Sequence, residues 1–231
     1  MRNCDEMNTI DVSNPAPRSP IVFLLDTSSG MEGASIHELN EGLKQFLRDV
    51  AADEAASRSV ELEVITFDST ANVVMPFATI EDADRNLPPL AASSSPSIDS
   101  AVEDGISLAV RDLMNRRRML RENGISAYCP WIVLMMDGGP NGEKWKRTDE
   151  KIHAHDEWGK FRFFGFEVAS ADARSKLSAQ KFHSLINLFD LNNSRSKELL
   201  FHRSTAPVFP GGETIKRMAD VPDDIDGWED L

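Results

Sequence analysis

Two aspartates and a group of hydroxyl residues stand where they could hold a hard cation. Asp26 closes the apolar run of IVFLLDTSSGM (21–31) and is followed by Thr27, Ser28, Ser29 and Gly30; Asp137 closes the apolar run of WIVLMMDGGPNG (131–142) in the same manner. In open parallel sheets, ligands gather outside the carboxyl ends of the strands, where loops from neighbouring strands converge. There Asp26, Ser28 and Asp137 would offer two carboxylates and a hydroxyl, hard oxygen ligands suited to Mg²⁺ or Ca²⁺ and not to zinc. The same residues have a plainer use, because Asp and Ser commonly end strands and cap the helices that follow. Spacing alone leaves both uses open. A hydrolase built on Asp26, Ser28 or Asp137 is a further alternative, although no serine sits in a G-x-S-x-G elbow.

Other chemistry finds less support. The five histidines are scattered, and His153 and His155, at i and i+2, would point to different faces of a helix and chelate poorly. There is no G-x-x-x-x-G-K-[ST] loop for a nucleotide. Arg116, Arg117 and Arg118 fall near the end of a helical pattern, where positive charge complements the helix dipole; they read as a solvated helix end, the alternative being a recognition helix for an anionic partner. Met135 and Met136 read as core filling. With 38 acids against 25 bases the formal charge is -13, which repels nucleic acid and anionic membrane surfaces. Cys4 and Cys129 suggest neither a disulfide nor a metal site, and no run approaches the roughly 18 apolar residues of a membrane span. The expectation is a soluble, cytoplasmic chain.

The elements that must position these residues follow from periodicity. Residues 1–18, ending in prolines, read as a flexible leader. IVFLLD, WIVLMM and FRFFGFEV (161–168) are short unbroken apolar runs, the pattern of strands buried on both faces of a parallel sheet. SVELEVITFD (59–68) and ANVVMPF (71–77), joined by Ser69 and Thr70, predict an antiparallel hairpin at one edge. Residues 34–56 carry Ile36, Leu39, Leu43, Phe46, Leu47 and Val50 at helical spacing, and 98–123 carry Ile98, Val102, Ile106, Ala109, Val110 and Leu113. Between them lies the loop LPPLAASSSPS (87–97). A solvated helix over 143–160, one or two helices within 176–209 and an acidic tail over 211–231 complete the reading. The fold class is α/β: a doubly wound, mostly parallel sheet with one antiparallel edge strand and helices on both faces.

FLLDTSSGM resembles the first metal-site segment of von Willebrand factor A domains, D-x-S-x-S after the first strand. GLKQF in the first helix, VELEVITFDSTANVVMPF over the hairpin, PLAASSSPSIDSAVEDGISLA before the long helix and PWIVLMMDGGPNG at the next strand follow in that family's order and spacing. The resemblance covers about residues 20–170 well, within a domain set at 19–210. It is nearest to cytosolic bacterial members of the TerY type, associated with tellurium resistance and stress response, whose terminal DGW is echoed by Asp226, Gly227 and Trp228.

The family's metal-ion-dependent adhesion site takes an aspartate and two serines from the first loop, a threonine from the second and an aspartate from the third. Carried over by position these are Asp26, Ser28, Gly30, Pro96 and Asp137, so Gly30 and Pro96 replace expected ligands. Neither supplies a side-chain oxygen, and an ion there would keep only part of its protein shell. Ser29, or Ser94, Ser95 or Ser97, would have to compensate in a rearranged site. The resemblance therefore implies a non-catalytic protein-interaction module with weak or absent dependence on Mg or Ca, binding through Ser29, Gly30, Ser94, Ser95 and Gly138. Its implied partners are a kinase, phosphatase or ATPase of a bacterial stress-response or conflict module. The alternatives are an intact metal-dependent binder, the hydrolase above, and a structural subunit whose contacts lie on its helices or acidic tail.

Overall fold

The computed structural model describes residues 10–96, 99–136 and 161–167. Five strands form one sheet in the order β3-β2-β1-β4-β5: β1 Ser19–Asp26, β2 Val60–Phe67, β3 Ala71–Thr79, β4 Trp131–Met136 and β5 Arg162–Glu167. All neighbours run parallel except β2 and β3, which form the expected antiparallel hairpin. The central strand β1 is buried along its whole length, with Leu24 level with Ile65 on one side and Leu134 on the other. That is why its sequence is apolar without alternation.

The chain crosses the sheet on both faces. On one side α1 (Ala34–Ala52) lays Leu39, Leu43, Phe46, Leu47 and Val50 over Phe23, Leu25 and Val133, with the Phe23 and Phe46 rings edge-on at 5.0 Å. Ile36, the first residue of the expected stripe, is half-buried at its margin. The helical segment was expected to run to residue 56, but the helix ends at Ala52. The Asp53 carboxylate accepts the amides of Ala55 and Ala56, both at 3.0 Å, and so starts a separate short helix, α2 (Glu54–Ser59). After β3, Thr79 caps another short helix, α3 (Ile80–Asn86), through the Asp82 amide.

The opposite face carries α4 (Asp99–Glu122), whose Val102, Ile106, Ala109, Val110 and Leu113 cover Val22, Leu24, Ile65 and Phe67 as the periodicity predicts. At Gly105 the helix approaches β1 so closely that a Cβ would stand 2.8 Å from Leu24 Cδ1. No described helix is long and apolar enough to cross a membrane.

Arg116 corrects the reading of the arginine run as a solvated helix end. It is 2% exposed and gives Nε and Nη2 to the Glu61 carboxylate at 2.7 and 2.9 Å, while lying over the Phe77 ring. Arg18 approaches the same carboxylate at 3.3 Å and also donates to the carbonyls of Asp11 and Asn14, so the segment entering β1 is clasped to the sheet. Of the three arginines only Arg118 is exposed. Ile98, the 143–160 segment and the elements expected beyond Glu167 lie outside the described residues.

Candidate functional site

Asp26 is the last residue of β1 and is fully buried, so its carboxyl must find partners inside the protein. Oδ1 accepts the Ser28 amide at 2.8 Å, which folds the chain back on itself immediately after the strand. The Ser28 carbonyl in turn accepts the Met31 amide at 3.0 Å, closing the 3₁₀ turn Ser29–Met31. The structure thus brings Asp26 and Ser28 together, with Ser28 only 2% exposed and Ser29 and Gly30 on the surface. Asp26 does not cap the following helix. That position belongs to Gly33, whose φ of +86° and ψ of -119° suit a residue without a side chain.

The second loop is attached to the first through its backbone. The Ser93 amide donates to the Thr27 carbonyl at 2.7 Å, and the Ser29 amide donates to the Ser95 carbonyl at 2.8 Å. Ser93 Oγ accepts the Ser95 amide at 3.1 Å, which shapes the serine run and leaves Ser94 and Pro96 exposed. Asn40 on α1 fixes where this loop begins. Its Oδ1 accepts the Leu90 amide at 2.8 Å and its Nδ2 donates to the Leu90 carbonyl at 2.9 Å, a two-point clasp across 50 residues.

A third loop joins them at the same end of the sheet. Thr27 donates its amide to the Phe67 carbonyl at 2.8 Å and its hydroxyl to the same oxygen at 3.3 Å. The next residue, Asp68, was expected to end the strand and instead leads a three-residue turn. Its Oδ1 accepts the amides of Ser69 and Thr70 and the Ser69 hydroxyl. The Ser93 hydroxyl first, with these donors, holds the Asp68 carboxyl below the usual carboxylate range. Asp68 is therefore an apical acid that the sequence reading did not single out. The signal was present, since Asp-Ser-Thr after an apolar run is a side-chain-stabilised turn.

Asp137 and Gly138 lie outside the described residues. Among those described, no group of three or more His, Cys, Asp or Glu side chains could hold a metal ion. Gly30 and Pro96 have no side-chain oxygen, so Asp26 and Ser28 are the members of the carried-over set placed side by side here. What the apex offers is a surface: Ser29, Ser69, Thr70 and Ser94 exposed, and the carboxylate of half-buried Asp68 beneath them.

The von Willebrand factor type A domain model matches residues 21–198. No curated protein matches the chain by sequence. Among solved structures, a von Willebrand factor type A protein from Catenulispora acidiphila is 14% identical, with a TM-score of 0.50 over 76% of this chain and 43% of its own. An aerotolerance-related membrane protein from Bacteroides fragilis is 14% identical over 67% of this chain and 69% of its own, with a TM-score of 0.47. The PilB minor pilin from Streptococcus sanguinis is 16% identical over 55% of this chain and 31% of its own, with a TM-score of 0.41. The chain thus spans less than half of the pilin and of the Catenulispora protein. At these identities the likeness is one of fold.

Proposed function

Because the chain belongs to the von Willebrand factor type A family, we propose that it is a non-catalytic protein-recognition module that binds its partner through the apical loops Thr27–Gly30, Asp68–Thr70 and Ser93–Pro96. The observation that carries this reading is the pair of amide-to-carbonyl bonds, Ser93 to Thr27 and Ser29 to Ser95, that lock two loops into one surface. A surface fixed before contact spares the partner the entropy of ordering it. Weak or absent metal dependence fits Gly30 and Pro96, the degenerate positions of the adhesion site.

Resemblance to the TerY-type proteins supports assigning this module to a cytoplasmic bacterial stress-response or conflict complex, with a kinase, phosphatase or ATPase as partner. The test is site-directed photocrosslinking in cells expressing the module with its neighbouring genes. A crosslinker at Ser29 or Ser94 should capture one of those gene products, one at Lys44 or Arg118 should not, and Ser29→Arg should abolish capture from Ser94. Capture from the helix positions alone would overturn apical recognition and favour a subunit assembled through its helices.

A further inference from the structure

Alternation along β2 points Glu61, Glu63, Ile65 and Phe67 at the underside of α4. Glu61 is neutralised by Arg18 and Arg116, but Glu63 is not treated in the same way. Its side chain is 3% exposed, and Oε2 has no hydrogen-bond partner among the described residues. Val22 lies opposite on β1, and on β3 the irregular register sets Glu63 against the stretch containing Pro76 and Phe77, so neither flanking strand brings a charge there. The charged groups facing it come from α4: Asp112, Arg111 and Arg116. Arg116 gives two nitrogens to Glu61, and Arg111 Nε is bonded to Asp112 Oδ1 at 2.9 Å.

We propose that Glu63 is a proton-controlled seat for α4: with its proton it lies neutral beneath the helix, and on losing that proton to solvent it unseats the helix and loosens the apical loop that leads into it. A buried carboxylic acid without a full set of partners is tolerable only while uncharged. Burial pushes the Glu63 carboxyl up to about 8, with Asp112 adding to the rise and Arg111 and Arg116 opposing it, so the change falls in the neutral to mildly alkaline range. Towards its N-terminal end the same helix sits tightly on β1, as the contact between Gly105 and Leu24 shows. Coupling to the apex is short, because α4 begins at Asp99, three residues after Pro96, and the loop before it is bonded to Thr27 and Ser29.

The consequence for partner binding rests on the apical reading, but the seat itself is testable without a partner. Amide hydrogen exchange at about pH 6 and about pH 9, corrected for intrinsic rates, should show α4 residues 106–116 and loop residues 93–95 losing at least ~10-fold more protection than α1 does. Glu63→Gln should abolish that excess. Equal loss in α1 and α4, loss in α4 without loss at 93–95, or the same loss in Glu63→Gln would each overturn the proposal. Should Glu63→Gln not fold, carbon-13 NMR of the glutamate carboxyls in the wild type decides, a full set of ordinary carboxylate midpoints being the refuting result. Failure here leaves the crosslinking test of apical recognition unaffected.

Discussion

Arg116→Leu isolates the clasp beneath α4. The substitution removes two hydrogen bonds from a carboxylate that is 3% exposed and leaves Glu61 facing Arg18 Nε at 3.3 Å. Breaking a buried pair by deleting one partner costs about 3–5 kcal/mol, because the other charge stays buried. Arg18 retains part of the neutralisation, which sets the expectation near 3 kcal/mol, with about 0.5–1 kcal/mol more from the lost contact over the Phe77 ring. The double variant Glu61→Leu, Arg116→Leu removes the stranded carboxylate and should recover part of that loss, the remainder falling on Arg18, which keeps its carbonyl partners at Asp11 and Asn14 but loses its carboxylate. Urea unfolding at neutral pH, with m-values compared, measures all three. Arg118→Leu, at an exposed position on the same helix, should stay within about 0.5 kcal/mol. If Arg116→Leu costs no more than Arg118→Leu, or the double variant is worse than the single, the clasp does not hold the helix.

Three further outcomes follow from the geometry. Because the folded carboxyl of Glu63 titrates at about 8 against an ordinary 4.5, the folded state keeps a proton that the unfolded chain gives up. Its contribution is therefore full below about pH 4.5 and is lost as pH rises towards 8, by about 3 kcal/mol at pH 7; Glu63→Gln should flatten urea-derived stability across that window, and a flat wild-type profile would refute the assignment. Asn40→Ala strands the Leu90 amide and carbonyl at the foot of the apical loop and should cost about 1–3 kcal/mol, with hydrogen exchange rising first at Leu90–Ser95. Restoring the hydroxyls with Gly30→Ser and Pro96→Thr should raise the melting temperature by several °C in millimolar Mg²⁺, where the unmodified chain shifts little; equal shifts would mean that the present residues already hold the ion.

The sheet was legible because burial on both faces removes the need for alternation, and β1 and β4 announce themselves by unbroken apolar runs. Helices α1 and α4 were legible from their stripes, but their neighbours were missed for a local reason. Asp53 and Thr79 cap new helices, and each cap is readable in hindsight, Thr79 standing three residues before Asp82 as in a capping box. The clasp was not readable. Nothing in VELEV says that Glu61 meets an arginine 55 positions later, since only the register of β2 and the rotation of α4 set that contact. Three arginines in a row gave the same local signal whichever of them turned inward. At the apex, the motif pointed to Asp26 and Ser28, which the structure sets side by side, whereas the contribution of Asp68 depends on Ser93 arriving from a different loop.

The apex also shows why Asp26→Ala cannot decide whether a metal matters. Its Oδ1 holds the Ser28 amide at 2.8 Å inside a residue with no exposed surface, so alanine would release the first loop whether or not an ion ever binds. Two bonds that join this loop to the second, Ser93 to Thr27 and Ser29 to Ser95, run between backbone groups, and Gly30 and Pro96 contribute no side-chain oxygen to them. These two bonds hold the surface without side-chain oxygens at those positions. Asp26→Asn separates the two roles: its amide oxygen can still accept from Ser28, while the negative charge that would attract a cation is gone. If shape alone carries recognition, Asp26→Asn should crosslink to the partner from Ser94 as the wild type does, with stability within about 1 kcal/mol. Loss of crosslinking in a folded Asp26→Asn protein, restored by no concentration of partner, would show that charge at Asp26 and not loop geometry carries the interaction.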